Sequence, residues 1–203
     1  MSGVVETHED DGIWTVTLNR PDKANALTAD MLEELADIAE RAETAKALIL
    51  TGTGKVFSAG ADLEDVKVLA THPAWERLSD NISKISGLTV AALNGTVAGG
   101  AMGMVLACDL RIAVPEAKAF YPVMRVGVLP QPSDPKRMSA LIGPARTKMI
   151  LLAGQKITAE TAEAWGLFDE IIAADHLMER AYALTDGLRT ANLSHVKTIK
   201  NTV

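Results

Sequence analysis

Cysteine is nearly missing from this chain: Cys108 stands alone among 203 residues. A lone cysteine excludes an intramolecular disulfide and a cysteine-based zinc site, and it fits a reducing compartment such as the cytoplasm. Histidine is sparse as well. His8, His72, His176 and His195 are scattered without metal-ligand spacing, so no metal site is expected and each reads as solvated surface. Positive charge is in deficit: 20 Lys and Arg against 26 Asp and Glu leave a net charge of −6, which argues against nucleic acid as a partner. A small anionic ligand stays open, because it needs only local positive charge or backbone amides. The acidic N-terminus has no apolar stretch of the signal-peptide kind, so no targeting segment is expected.

Several nucleotide and hydrolase signatures are missing too. No G-x-G-x-x-G occurs. Thr51-Gly-Thr-Gly-Lys-Val resembles the end of a P-loop, but Ile49 stands where the first glycine belongs and Val56 replaces the metal-binding hydroxyl. Phe57-Ser-Ala-Gly resembles half a nucleophile elbow, but Val56 again occupies the first glycine position, so Ser58 reads as a turn residue. One run, Gly87 to Cys108, carries no charge and is long enough to span a membrane. Asn94, Gly95, Gly99, Gly100 and Gly103 punctuate it, so it reads as a buried strand, a glycine turn and a buried helix, with no membrane partner.

What is present suits one domain. A chain of 21.6 kDa exposes about 9,200 Å² folded against about 31,000 Å² unfolded, which leaves a core that needs no staples. Ile13–Leu18, Ala47–Leu50, Leu88–Leu93 and Asp109–Val114 read as strands. Thr28 is a candidate N-cap for a helix to about Glu43, with Met31, Leu32, Leu35, Ile38, Ala39 and Ala42 on its apolar face. Phe57–Ala61 leads into a helix near Asp62, Trp75–Ile85 reads as helix, and Gly95–Gly100 reads as a loop before a small-residue helix to Leu106. Beyond Pro130 the pattern turns helical, over Arg137–Ile142, Ala145–Leu152, Thr158–Trp165 and His176–Leu188. Strands alternating with helices predict an α/β fold.

Two segments share one design, an apolar strand running into a small-residue turn that opens a helix: Val56-Phe-Ser-Ala-Gly-Ala-Asp-Leu and Asn94-Gly-Thr-Val-Ala-Gly-Gly-Ala-Met-Gly. Small side chains admit a ligand close to the backbone, and N–H groups at a helix start can point at an oxygen. Converging turns of this kind supply the donor pair of an oxyanion hole; the alternative is that the glycines only permit tight strand–helix packing.

LNRPDKANAL (18–27), ALILTGTGKVFSAGADL (47–63), AALNGTVAGGAMGMVLACDLRIA (91–113), and GVLP (127–130) followed by LIGPARTKMILLAG (141–154) together resemble the crotonase superfamily, the enoyl-CoA hydratase/isomerase family. The resemblance runs from about residue 4 to residue 190. It implies a crotonase (ClpP-like) fold of ββα repeats with two nearly perpendicular sheets. It assigns residues 1–190 to an acyl-CoA-binding domain. Residues 131–203 form its mainly helical part, used in a homotrimer or dimer of trimers, with the family's last helices truncated here. The implied chemistry is stabilisation of a thioester enolate, with coenzyme A as part of the substrate and no separate cofactor. The resemblance places the oxyanion amides at Ala61 and Gly100, with Gly99 beside them, and the CoA moiety against Lys23, Ala24, Ala26, Ala59, Asp62 and Leu63. Lys23 suits a phosphate, whereas Asp62 reads better as an N-cap than as an acid or base.

The sequence departs from the family at both proton-transfer positions. Hydratases of the family carry two glutamates there; this chain has Gly103 at the first and Val123, after Pro122, at the second. Each such group contributes typically 10²–10⁴-fold, so ordinary hydration is expected to be weak. Tyr121 and Asp134 are the candidate substitutes, with Gln131 where some double-bond isomerases of the family carry an aspartate. Asp134 also reads as a turn or cap residue in Ser133-Asp134-Pro135. Arg111 and Arg125 read as partners of nearby carboxylates or carbonyls. Two functions remain open: an acyl-CoA lyase or isomerase with an altered acid/base set, or an acyl-CoA binder that has lost the chemistry.

Overall fold

The continuously apolar runs of the sequence become strands in the computed structural model, which describes residues 3–203. The elements run β1 (Val5–Asp10), β2 (Ile13–Leu18), α1 (Ala29–Arg41), β3 (Ala47–Gly52), β4 (Val56–Ser58), α2 (Val66–Leu69) and α3 (Ala74–Lys84). They continue with β5 (Leu88–Leu93), β6 (Thr96–Ala98), α4 (Met102–Leu106), β7 (Leu110–Ala113), β8 (Lys118–Phe120) and α5 (Val123–Val126). The last are α6 (Asp134–Leu151), β9 (Ile157–Thr158), α7 (Ala159–Trp165), β10 (Glu170–Ile171), α8 (Leu177–Thr185) and α9 (Leu193–Lys200).

Two sheets result. The six-stranded sheet has the order β1-β2-β3-β5-β7-β10, antiparallel only at the β1–β2 hairpin. The four-stranded sheet has the order β4-β6-β8-β9. In each repeat a longer strand (β3, β5 or β7) lies in the first sheet and the following short strand (β4, β6 or β8) crosses into the second. A helical segment follows, so every crossover delivers a turn and a helix start to the same edge. The accessible surface is 9734 Å², close to the value expected for one domain.

Thr28 caps α1 as expected, its hydroxyl accepting the Met31 N–H at 3.3 Å. The stripe Met31, Leu32, Leu35, Ile38 and Ala39 is buried. At roughly 1.5–3 kcal/mol per large apolar side chain, that burial rather than propensity holds the helix. The charge-free run from Gly87 becomes β5, β6, a 3-10 turn and α4, and among the described residues no helix is long and apolar enough to cross a membrane.

Several boundaries differ from the sequence expectation. No helix starts at Asp62, which opens a turn and accepts from Arg20 and the Glu64 N–H; α2 begins at Val66. Residues expected as a loop after Gly95 contain β6, which pairs with β4 and β8. β1 escapes a periodicity search because five of its six residues are exposed, yet the Asp11-Gly12 turn after it, with both φ positive, is hairpin chemistry. The two helices expected on either side of residue 143 are present as the two halves of α6, which breaks where Gly143 leaves helical geometry (φ 79°, ψ 162°) before Pro144. Helix α9 lies beyond the elements expected from the sequence.

Candidate active site

The loop from Arg20 to Leu27 is built by one buried side chain. Ala24 and Asn25 both have φ of 51°, a conformation that costs energy unless neighbours hold it. The Asn25 amide supplies the hold: its Oδ1 accepts the Arg20 N–H at 2.8 Å, and its Nδ2 donates to the carbonyls of Thr53 (2.9 Å) and Val56 (2.8 Å). Ser58 Oγ donates to the Asn25 carbonyl at 2.8 Å and accepts the Gly60 N–H, which gives it the turn role expected. Arg20 donates to Asp62 at 2.6 Å, and Asp62 also accepts the Glu64 N–H. The Arg20 hydrogen bond is the main reason the Asp62 carboxyl lies below its ordinary range. Asp62 is therefore a turn-locking anion, not a helix cap.

The first glycine turn rests on this loop and touches the second. Leu27 N–H donates to Gly60 O and Leu27 O accepts from Asp62 N–H, both bonds of a parallel bridge centred on Leu27. The N–H of Ala61 faces away from Leu27 in such a bridge and meets no acceptor among the described residues. Gly60 (φ 88°) abuts Ala98 and Gly99, where a Cβ would lie 2.7 Å from Ala98 O. Gly99 (φ 57°) then opens the 3-10 turn before α4, which leaves the Gly100 N–H in an uncapped first turn. Ala61 and Gly100 line one cavity of about 50 Å³, together with Leu69, Trp75, Tyr121 and Gln131.

Behind the Tyr121 wall lies a buried carboxyl. Asp134 is the first residue of α6 and fully inaccessible. Tyr121 Oη donates to Asp134 Oδ2 at 2.9 Å and accepts the Gln131 N–H at 3.2 Å. Asp134 Oδ1 has no hydrogen-bond partner among the described residues and points at Gly103, where a Cβ would lie 2.9 Å away. Burial pushes the Asp134 carboxyl up to about 7, nearby Glu76 adds to the rise, and the Tyr121 hydrogen bond and Arg137 oppose it. Burial, then Asp134, raises the Tyr121 hydroxyl above its ordinary value. Glu76 fixes the loop ahead of α6 by accepting from Ser133 N–H and Oγ, and Arg137 bridges Ser79, Ser133 and Asp80.

The expected site residues fall into two groups. Gly99, Gly100, Gly103, Ala61, Tyr121, Asp134 and Gln131 meet in and behind the cavity. Lys23, Ala24, Ala26, Ala59, Asp62 and Leu63 lie on the loop and turn outside it; Leu63 is 83% exposed, and Lys23 makes only a loose 3.8 Å pair with Glu64. Pro122 leads into α5 and Val123 is buried at its start, where it offers no proton. Arg111 is buried among Asp169 and the carbonyls of Cys108, Asp109 and Leu167, as its reading required, while Arg125 is exposed. Cys108 is inert, its buried thiol pushed up to about 12. Among the described residues no group of three metal-ligating side chains gathers. Sequence reasoning missed Asn25, Trp75 and Glu76. Only Asn25 had a local signal, its place in the LNRPDKANAL segment.

The family model for enoyl-CoA hydratase/isomerase matches residues 8–203. The Bacillus subtilis (strain 168) protein YngF is 34% identical over 195 residues, covering 91% of this chain and 75% of the relative. The 1,2-epoxyphenylacetyl-CoA isomerase of Escherichia coli (strain K12) is 30% identical over 203 residues, covering 94% of this chain and 78% of the relative. Among solved structures, the enoyl-CoA hydratase from Bacillus anthracis superposes with a TM-score of 0.91 at 27% identity, covering 98% of this chain and 81% of the other. With that match running through both glycine turns and into the helices beyond them, this chain belongs to the enoyl-CoA hydratase/isomerase family.

Proposed function

We propose that the chain binds acyl-CoA thioesters and turns them over through an enolate, with Tyr121 and Asp134 replacing the usual pair of glutamates. The observation that carries this reading is the buried Asp134 carboxyl, at about 7, bonded to a wall of the cavity that Ala61 and Gly100 line. A carboxyl titrating near neutrality can both take and return a proton. Removal of the proton next to the thioester carbonyl moves the electron pair onto the thioester oxygen. The N–H groups of Ala61 and Gly100 receive that developing charge, a role in which one donor is typically worth about 2.7–4 kcal/mol. The proton returns from the Tyr121–Asp134 pair to the same carbon, or to a more distant carbon of an unsaturated chain, which shifts the double bond. Lys23 and the loop residues Ala24, Ala26, Ala59, Asp62 and Leu63 hold the CoA moiety outside the cavity.

Gly103 and Val123 favour a second reading, a binder without chemistry, and one experiment separates the two. Butyryl-CoA incubated with the protein in deuterium oxide should exchange its α-protons, followed by NMR. Asp134→Asn and Tyr121→Phe should slow that exchange by about 10²-fold or more. Saturable binding without exchange establishes the binder. Hydration of crotonyl-CoA is expected several orders of magnitude below a median enzyme's roughly 10 s⁻¹, since neither Gly103 nor Val123 can activate water. Loss of the enoyl absorbance measures it.

A further inference from the structure

The indole of Trp75 lines the cavity that Ala61 and Gly100 share and packs directly on Gly100. Trp75, in the first turn of α3, is nearly inaccessible, and its Nε1 donates to Leu69 O at 2.8 Å, which ties the ring to the end of α2. The benzo edge of the ring lies against Gly100: a Cβ there would stand 2.9 Å from Cη2 and 3.0 Å from Cζ2 and Cζ3. Glycine at position 100 is what lets the indole pack this close to the backbone that lines the cavity. The same α2 end is tied down a second time, because Gln131 Nε2 donates to Ala70 O at 3.4 Å and joins the α5–α6 loop to it. The space left is about 50 Å³, room for about four groups the size of a water, each of which needs roughly 10–15 Å³ of such space.

We infer that Trp75 is the specificity-determining residue of this site and that its ligands are short acyl thioesters, of about two to four carbons, because the cavity holds no more methylene-sized groups than that. The inference rests on the acyl-CoA reading above. An apolar chain gains affinity with each methylene it buries, so an open-ended pocket favours octanoyl over butyryl. A pocket this small, walled by a tethered indole, reverses that order. Substituting the indole by a smaller apolar side chain opens space next to Gly100 without touching the N–H donors or Tyr121.

The test is calorimetry with acetyl-, butyryl- and octanoyl-CoA on the native protein and on Trp75→Leu. The native protein should bind butyryl-CoA at least about tenfold more tightly than octanoyl-CoA, the scale of one misfitting methylene or more. Trp75→Leu should narrow that ratio about tenfold or invert it, chiefly by tightening octanoyl-CoA. Octanoyl-CoA binding the native protein as tightly as butyryl-CoA overturns the inference and leaves the acyl-CoA reading intact. No saturable binding of any thioester at millimolar concentration overturns both. Should Trp75→Leu fail to fold, Leu69→Ala widens the same cavity and should move the ratio in the same direction, and an unchanged ratio there counts against the inference.

Discussion

Gly103 and Asp134 decide between them which group can carry a proton in this site. A Cβ on residue 103 would press on Asp134 Oδ1 at 2.9 Å, so the glycine and the buried carboxyl come as a pair. Gly103 lies inside α4, where alanine normally gains about 0.5–1 kcal/mol over glycine. The clash with a carboxyl held by Tyr121 works the other way, at about 1–3 kcal/mol for overpacking. Gly103→Ala is therefore expected to destabilise, read as a lower midpoint in urea, and a glutamate at position 103 would have to displace Asp134. The pH dependence follows from the same carboxyl. Its folded value near 7 exceeds the ordinary 3.8, so the folded state holds the proton across that window and the unfolded state does not. This contribution is present in full below the unfolded value and is lost as pH rises to about 7, amounting to a few kcal/mol. Stability of the native protein should fall between about pH 4 and 7 relative to Asp134→Asn, which has no such titration. The α-proton exchange rate should rise across pH 7 in the native protein, because the base is the ionised form.

At the level of elements, the site depends on two loops held by side chains far away in sequence. Asn25 ties the Arg20–Leu27 loop to the carbonyls of Thr53 and Val56 with two hydrogen bonds and closes the loop on itself with a third, to the Arg20 N–H. Removing its amide leaves the Arg20 N–H and the Thr53 carbonyl without that partner, at about 1–3 kcal/mol for each group left unpaired, while the Val56 carbonyl keeps the Asn94 amide. Asn25→Ala is expected to lower stability by at least about 2 kcal/mol and to weaken acyl-CoA binding, measured by denaturation and calorimetry together. The loop ahead of α6 is set by Glu76 and Arg137 instead, which dock it on α3 and so fix where Asp134 enters the core. None of these ties leaves a trace in local hydrophobic spacing, which is why the sequence did not single out Glu76.

At the scale of the molecule, the mouth of the cavity is apolar and open. Leu129 lines the cavity and is 84% exposed, and elsewhere on the surface Leu63, Val68, Met124 and Val126 are exposed as well. Together with the family membership, this leads us to expect a homotrimer or a dimer of trimers. Light scattering should report three or six times the chain mass, and a single-chain mass would overturn that expectation.

Much of the fold was legible because its signals are local. The apolar runs of β2, β3, β5 and β7, the Thr28 cap, the α1 stripe and the break between Ile142 and Ala145 each depend on neighbours a few residues away. The two glycine turns were legible for the same reason, as were Gly103 and Val123 as positions without a proton to give. The sequence alone left Asp134 as either a turn residue or a chemical group. Tertiary structure made it a buried carboxyl by packing the start of α6 against Gly103, 31 positions earlier, and Tyr121, 13 positions earlier. Trp75 likewise read only as the start of a helix, and it is the packing of α3 beside α4 that sets its indole against Gly100. A group's burial, and with it its protonation, is set by what the chain brings back from a distance, and periodicity carries no record of that.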